Sequence, residues 1–403
     1  MGFSAVIETV HHILPGPVRK SGTVDLSPIP NEIYLEIFGY LRPTDPNEWI
    51  DAEARQHFCN LALVCRFFSS VMLPWIFENL TFVEKDSYSQ ISSPHSSTVS
   101  AKFCRNVLDG DPTALLLAKH VKRWAFSGSP TQSKLTPAFL SMYFETFQHL
   151  PNLLELSLTN IVIPRNFFKR LVNVPTLEAL KLGNSSFDAE MRERHLKHFK
   201  SLPLKRLALV HSSTDSHLIR LIRHLNMTSL IRLELDLPFL KDLPLSNCSL
   251  PLEYLYLGSV EGSMPIAGFL EAMPYLKVLR VPWSLHSLPN SVLKPQVIPH
   301  LSELGGDWPF CASILPGRPI SRVELFSMPL GVGRDQWKVL AGSTKPLIDL
   351  KVWLFCHIIV PFWEHFPDLE SLEIRPLGLD ATWGEVSFLS LKIIHHIFTN
   401  QET

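Results

Sequence analysis

His195 and His198 stand three apart on a helix-like stretch and could share a metal ion. No third ligand accompanies them, so the spacing predicts surface histidines. His11-His12 and His395-His396 are adjacent pairs whose side chains diverge. Gly331-Val332-Gly333 lacks the third glycine and the strand-to-helix setting of a dinucleotide loop. No G-x-S-x-G, P-loop or H-E-x-x-H is present, and no nucleophile lies beside a base in any known pattern. The six cysteines, Cys59, Cys65, Cys104, Cys248, Cys311 and Cys356, form no C-x-x-C pair and read as scattered thiols of a reducing compartment. The expectation is a chain that is not an enzyme, with no catalytic residue, metal or cofactor.

The remaining chemistry is recognition. Tyrosine, tryptophan and arginine, the types enriched at binding hot spots, recur beside regularly spaced leucines. The candidate substrate-binding residues are Arg206, Arg232, Glu234, Tyr254, Tyr256, Arg280, Arg322, Glu324, Lys351 and Trp353. Arg123, Lys181, Asp236, Glu373 and Arg375 occupy equivalent positions. If each local segment is a strand, the leucines face one side and these residues the other. The competing reading is a solvated sheet face with scattered charge, the substrate then lying on a helix face or at the C-terminal end.

A repeat positions them. Its unit is Leu-x-x-Leu-x-Leu, usually preceded by proline, as in Pro151-Asn152-Leu153 leading to Leu156 and Leu158. The middle anchors are Leu156, Leu180, Leu207, Leu233, Leu255, Leu279, Leu304, Val323, Leu350 and Leu372, on average about 24 residues apart, within the range of leucine-rich repeats. Val121, Trp124 and Phe126 form a degenerate earlier copy. Helix-like stretches lie between, such as Leu218, Ile219, Leu221, Ile222 and Leu225 on one face. Stacked, such units make a solenoid with a parallel concave sheet. The asparagine ladder usual after the third leucine is missing, its positions holding Ile161, Ser185 and Val260.

Composition agrees. The chain has 403 residues, 63 of them leucine, with 32 prolines and only 18 glycines, which predicts many short elements. A net charge of −1 lacks the basic excess of a duplex-binding protein. The apolar run Val352–Trp363 is too short to span a bilayer. The N-terminus fits neither a signal peptide nor a myristoylation motif, so the four N-x-S/T sequons read as chance. The expected division is a weakly ordered segment 1–26, a helical domain 27–83, a Ser-rich linker and short helix 84–114, the repeats 115–380, and a tail or cap 381–403. The linker rests on seven serines between Ser87 and Ser100.

In the helical block, Pro30 starts a helix carrying Ile33, Ile37, Phe38 and Leu41, which Pro43 and Pro46 stop. Asp51 is the expected N-cap of a second helix striped by Phe58, Leu61, Cys65 and Phe68, and Pro74-Trp75-Ile76-Phe77 begins a short third. Leu80-Thr81-Phe82 reads as a strand. This block resembles an F-box in Ile29-Pro30-Asn31-Glu32-Ile33, Leu63-Val64-Cys65-Arg66 and the proline-led last helix. It departs from the family in Ile29 for the usual leucine, in about a dozen extra residues between the first two helices, and in Phe68 where tryptophan is frequent. With repeats behind it, the chain resembles fungal-type F-box proteins with leucine-rich repeats. The resemblance implies an α/β chain with a three-helix F-box before the solenoid. It further implies a substrate receptor of a Skp–cullin–F-box ubiquitin ligase, cytoplasmic or nuclear, meeting a Skp-type adaptor and through it a cullin. No nucleic-acid or membrane partner is expected. The implied adaptor-binding residues are Ile29, Pro30, Glu32, Ile33, Ile37, Leu41, Leu63, Val64, Cys65, Phe68 and Trp75. The alternative is a leucine-rich scaffold or binding module without a ligase link, its first helices serving as a cap.

Overall fold

The computed structural model describes residues 17, 19–21, 23–27, 29–42, 52–83, 95–128, 137–210, 216–235, 243, 249–260, 266–284, 293–327, 334–354 and 365–376. Two units divide the chain: Met1–Glu178 with Ser185–Asp188, and Ala179–Asn184 with Ala189–Thr403. The expected N-cap Asp51, the Gly331–Gly333 segment, both histidine pairs, Cys248, Cys356 and the tail 381–403 lie outside the described residues. No described helix is long and apolar enough to cross a membrane.

In the first unit, three helices share a core: α1 (Asn31–Leu41), α2 (Ala52–Ala62) and α3 (Arg66–Glu78). Phe38, Phe58, Phe67, Phe68, Val71 and Met72 fill it, with Leu61, Cys65 and Trp75 half-buried against it. Phe38 and Phe68 meet edge to face at 4.8 Å, a contact worth about 1 kcal/mol beyond area burial. The second and third helices differ from expectation. α2 ends in a turn at Leu63-Val64, and Cys65 turns extended (φ −160°), so the stripe from Phe58 to Phe68 spans two helices. The Cys65 Sγ then accepts the Phe68 N–H at 3.5 Å, capping α3 at its start, and Pro74 lies inside that helix rather than opening it.

α3 runs directly into strand β1 (Asn79–Val83), which pairs in parallel with β2 (Arg123–Ser127), itself paired with β3 (Glu155–Thr159). Leu80, Trp124 and Leu156 share one core row, and Phe82, Phe126 and Leu158 the next. The degenerate copy is thus a true repeat whose leucines are aromatic. Trp124 is fully buried, 4.5 Å from Phe82 and 5.5 Å from Phe147 between ring centroids. The sheet therefore begins at Asn79 and not at 115, because β1 needs the buried faces that Phe82 and Leu80 supply. The stretch read as linker holds the helix His95–Leu108, with 84–94 outside the described residues. Ser185 does part of the missing ladder's work: its buried hydroxyl accepts the Ile161 N–H and donates to the Leu158 carbonyl.

The second unit is an open parallel sheet of alternating strand and helix, the arrangement of a leucine-rich repeat. Its strands are β4 (Ala179–Gly183), β5 (Arg206–Val210), β6 (Arg232–Leu235), β7 (Tyr254–Leu257), β8 (Val278–Val281), β9 (Glu303–Asp307), β10 (Arg322–Ser327), β11 (Asp349–Leu354) and β12 (Ser371–Pro376), neighbours in that order. Leu180, Leu207, Leu233, Leu255, Leu279, Leu304, Val323, Leu350 and Leu372 align across all nine and are buried. Each such side chain contributes about 2 kcal/mol of burial.

At the strands' entry, the opposite end from the missing asparagine ladder, a backbone ladder ties successive repeats. One carbonyl accepts two successive N–H groups of the next repeat: Lys205 from Ile231 and Arg232, Ile231 from Glu253 and Tyr254, Glu253 from Lys277 and Val278. The same step continues through Lys277, Ser302, Ser321 and Ile348. It needs no particular side chain and so leaves no sequence signature.

Four described thiols are free. Burial pushes Cys104 up to about 12 and Cys311 well above the ordinary thiol value. In native protein at about pH 8, iodoacetamide should modify the half-buried Cys59 and Cys65 and spare Cys104 and Cys311 until the chain is unfolded. Peptide mass spectrometry reads this directly, and early labelling of Cys311 would contradict the packing described.

Candidate binding surfaces

Strand alternation turns every second residue of the second unit's sheet away from the leucines. Two outward rows result. Arg206, Arg232, Tyr254, Val278, Glu303, Arg322 and Asp349 form one; Lys181, Ala208, Glu234, Tyr256, Arg280, Gly305, Glu324, Lys351 and Glu373 form the other. The sequence-derived substrate residues fall in these rows, except Trp353, which stands one step further along β11. Arg123 occupies the equivalent place on β2 of the first unit, beside Glu155. Asp236 and the Arg375 side chain lie outside the described residues.

The rows are internally paired. Arg232 bonds Glu234 at 2.7 Å and lays its guanidinium 3.8 Å from the centre of the Tyr254 ring. Arg280 reaches Glu324 at 3.3 Å and Glu303 at 3.8 Å, while Arg322 binds Glu303 at 2.8 Å. Lys351 pairs with Glu373 at 3.2 Å. Gly305 lies between Arg280 and Glu324, and a Cβ there would sit 3.1 Å from the Arg280 stem and from the Phe326 ring. The missing side chain is what lets Arg280 cross β9 to its partner. The hydrogen bond that Arg322 donates to the Glu303 carboxylate raises the Arg322 pKa.

Tyr254 and Tyr256 face away from the leucines yet are half-buried, and the Arg232 guanidinium covers the Tyr254 ring. Burial accordingly raises the Tyr254 phenol above its ordinary value, and nearby Arg232 and Arg280 pull it back only partly. Scattered charge is the wrong description: exposed pairs contribute about 0–1 kcal/mol each, yet here they join into a chain across β8, β9 and β10. The sequence reading missed Phe326, whose ring lies tilted 6.2 Å from that of Trp353, and the acids Glu303 and Asp349. Carrying the period-two alternation one step further along β10 would have found Phe326.

The second surface lies on the helices of the first unit. Ile33, Ile37 and Leu41 recur at four-residue spacing on α1 and are exposed, as are Leu63 and Val64 in the turn after α2. Tyr40 is exposed beside them in the chain. Pro30 and Glu32 are exposed and Ile29 half-buried. Phe68 is 6 % exposed and belongs to the core, so it supports this surface from below. Trp75 packs on Phe58 at 5.6 Å and lies under Arg42 at 5.5 Å, filling the same supporting role.

Among the described residues no three His, Cys, Asp or Glu side chains gather to hold a metal. The His195 Nδ1 accepts the Arg192 backbone N–H at 3.1 Å, a local turn contact.

No family model matches the chain, and no curated protein does. Among solved structures it is similar to a protein from Bacteroides fragilis at 12% identity and a TM-score of 0.42, over 68% of this chain and 74% of that one. An internalin from Listeria monocytogenes aligns at 16% identity and 0.37, over 68% and 82%. A chain of the Drosophila Toll–Spatzle complex aligns at 14% and 0.31, over 65% and 44%. The repeat assignment itself rests on the strand register above.

Proposed function

We propose that this chain is a non-catalytic receptor that holds one protein on its N-terminal helices and another on its repeat sheet, in the manner of an F-box substrate receptor. The observation that carries the reading is the division of labour within the helical block. Phe38, Phe58, Phe67 and Phe68 already complete its core, yet Ile33, Ile37, Leu41, Leu63 and Val64 stay in water. Apolar side chains exposed at helical spacing are what a helix offers to a partner. With the F-box-like residues at the same positions, the partner is a Skp-type adaptor, and the Tyr254–Arg280 region of the sheet takes the substrate.

A second reading keeps the sheet as a binding module and makes the helices its cap. It is favoured by the way they tie to β1: Arg55 donates to the Asn79 carbonyl, and Glu78 pairs with Arg42 at 2.6 Å and Lys122 at 3.1 Å.

Co-expression with a Skp-type adaptor separates the two. The first reading expects capture by the full chain, reduced about a hundredfold by Ile37→Asp with Leu63→Asp, with the fold intact because both side chains are exposed. No capture by the unaltered chain leaves the second reading. On the sheet, Tyr254→Ala with Tyr256→Ala should preserve adaptor capture at a stability cost of about 1–2 kcal/mol and lose substrates found by proximity labelling.

A further inference from the structure

The chain's charge is near balance overall but not locally. Between 192 and 224 lie eight Lys and Arg against Glu193 and Asp215, a net of +6, so the rest of the chain carries −7. Six of these cations lie in the helical layer of two successive repeats in the second unit, while Lys205 and Arg206 stand at the start of β5. The helix Glu193–Leu196 continues into the tighter turn Lys197–Ser201, and the helix Ser216–Arg223 packs beside the former. Leu196, Phe199, Leu218, Leu221 and Ile222 are buried beneath them. Arg192, Arg194, Lys197, Lys200, Arg220 and Arg223 are all exposed. Within each element the spacing is i, i+3: Arg194 with Lys197, Lys197 with Lys200, and Arg220 with Arg223, which sets each pair on one face. Among the described residues of this layer the one carboxylate is Glu193, 3.7 Å from His224.

We infer that this helical layer is a second binding surface, separate from the sheet face, and that it receives a short acidic polypeptide segment. Arginine guanidinium groups bind carboxylates through paired donors, and four of the six cations are arginine. Phe199, the aromatic residue of these elements, is buried, so no ring is offered for stacking unpaired bases. No large apolar side chain of the layer is exposed to enter a bilayer. The chain outside 192–224 carries a net −7, which disfavours the extended contact that a duplex or an anionic vesicle makes. A short peptide stays within a Debye length, about 8 Å in physiological salt, of the cations that attract it.

The test is fluorescence anisotropy with the full chain and a labelled glutamate–glycine peptide, beside a short DNA duplex and phosphatidylserine vesicles. The peptide should bind more tightly than either. Arg194→Glu with Arg220→Glu and Arg223→Glu should weaken it about tenfold or more, while Arg105→Glu, an exposed helix position in the first unit, leaves it unchanged. If the triple variant fails to fold, Lys197→Gln with Lys200→Gln replaces it, with a smaller loss expected. No peptide binding, equal loss in the control, or tighter binding of duplex or vesicle overturns the inference.

Discussion

Replacing Arg318 with methionine should cost the second unit about 4 kcal/mol, one of the largest single-residue losses in the chain. Arg318 is 0 % exposed, and among the described residues no carboxylate pairs with it. Its guanidinium donates instead to backbone carbonyls: Nε to Val297 at 3.2 Å, one terminal nitrogen to Leu293 at 3.0 Å and Lys294 at 2.8 Å, the other to Ile314. Three of these acceptors belong to the irregular segment before β9, where Ile298 takes a positive φ of 55° and no strand partner could serve them. The fourth ends the helix Trp308–Ile314, where a cation also meets the negative end of the helix dipole. Burial lowers the Arg318 pKa, but a guanidinium starts high enough to stay charged, whereas a buried lysine would shed its proton more readily. Methionine keeps much of the volume and removes the donors, leaving the buried Leu293 and Ile314 carbonyls unsatisfied at about 1–3 kcal/mol each before relaxation, while the Lys294 carbonyl keeps the Val297 N–H. Urea unfolding followed by tryptophan fluorescence reads the shift. A loss below about 1 kcal/mol would mean that water replaces the guanidinium and that the segment is not held by it.

Arg318 also marks the limit of what sequence could tell. Between Gly317 and Pro319 it reads as an exposed turn residue, and nothing in its neighbours announces the carbonyls that surround it. The leucine rows were legible because each anchor repeats at a fixed offset and the strand period leaves the core no second choice of face. The outward rows followed from the same alternation, so the positions of Arg232, Tyr254 and Arg280 were available from the sequence. Their pairing was not, since it depends on which side chains of different repeats lie opposite one another, and on the glycine at 305. The start of the sheet was hidden for a related reason: Leu80 and Phe82 belong to one repeat but are preceded by α3 rather than by the usual proline and leucine. Likewise α2 and α3 share one apolar stripe, and only the extended backbone of Cys65 separates them.

The repeat anchored at Leu304 shows how a consensus can mislead, and it yields the second large prediction. Its third leucine is absent, the position being Gly306, paired with Val281 on one side and Leu325 on the other, both buried. Restoring leucine there would look like a consensus repair, which commonly stabilises a protein. In this structure it should instead cost about 3 kcal/mol. A Cβ on Gly306 would lie 2.5 Å from Cδ1 of Phe310, whose ring comes down from the following helix and occupies the space a leucine would fill. Phe310 is itself buried, in a helix held by its Asp307 cap, whose carboxylate accepts the Phe310 N–H at 3.1 Å. The ring therefore has no exit that keeps the cap. Phe310→Ala alone should also destabilise, by about 3–4 kcal/mol, because it empties that space. The double variant, Gly306→Leu with Phe310→Ala, should recover much of the loss, giving a coupling of about 2 kcal/mol between two residues that are each harmful to change alone. Additive losses in chemical unfolding would show that the ring does not fill the leucine's place, and the account of this irregular repeat would fail with it.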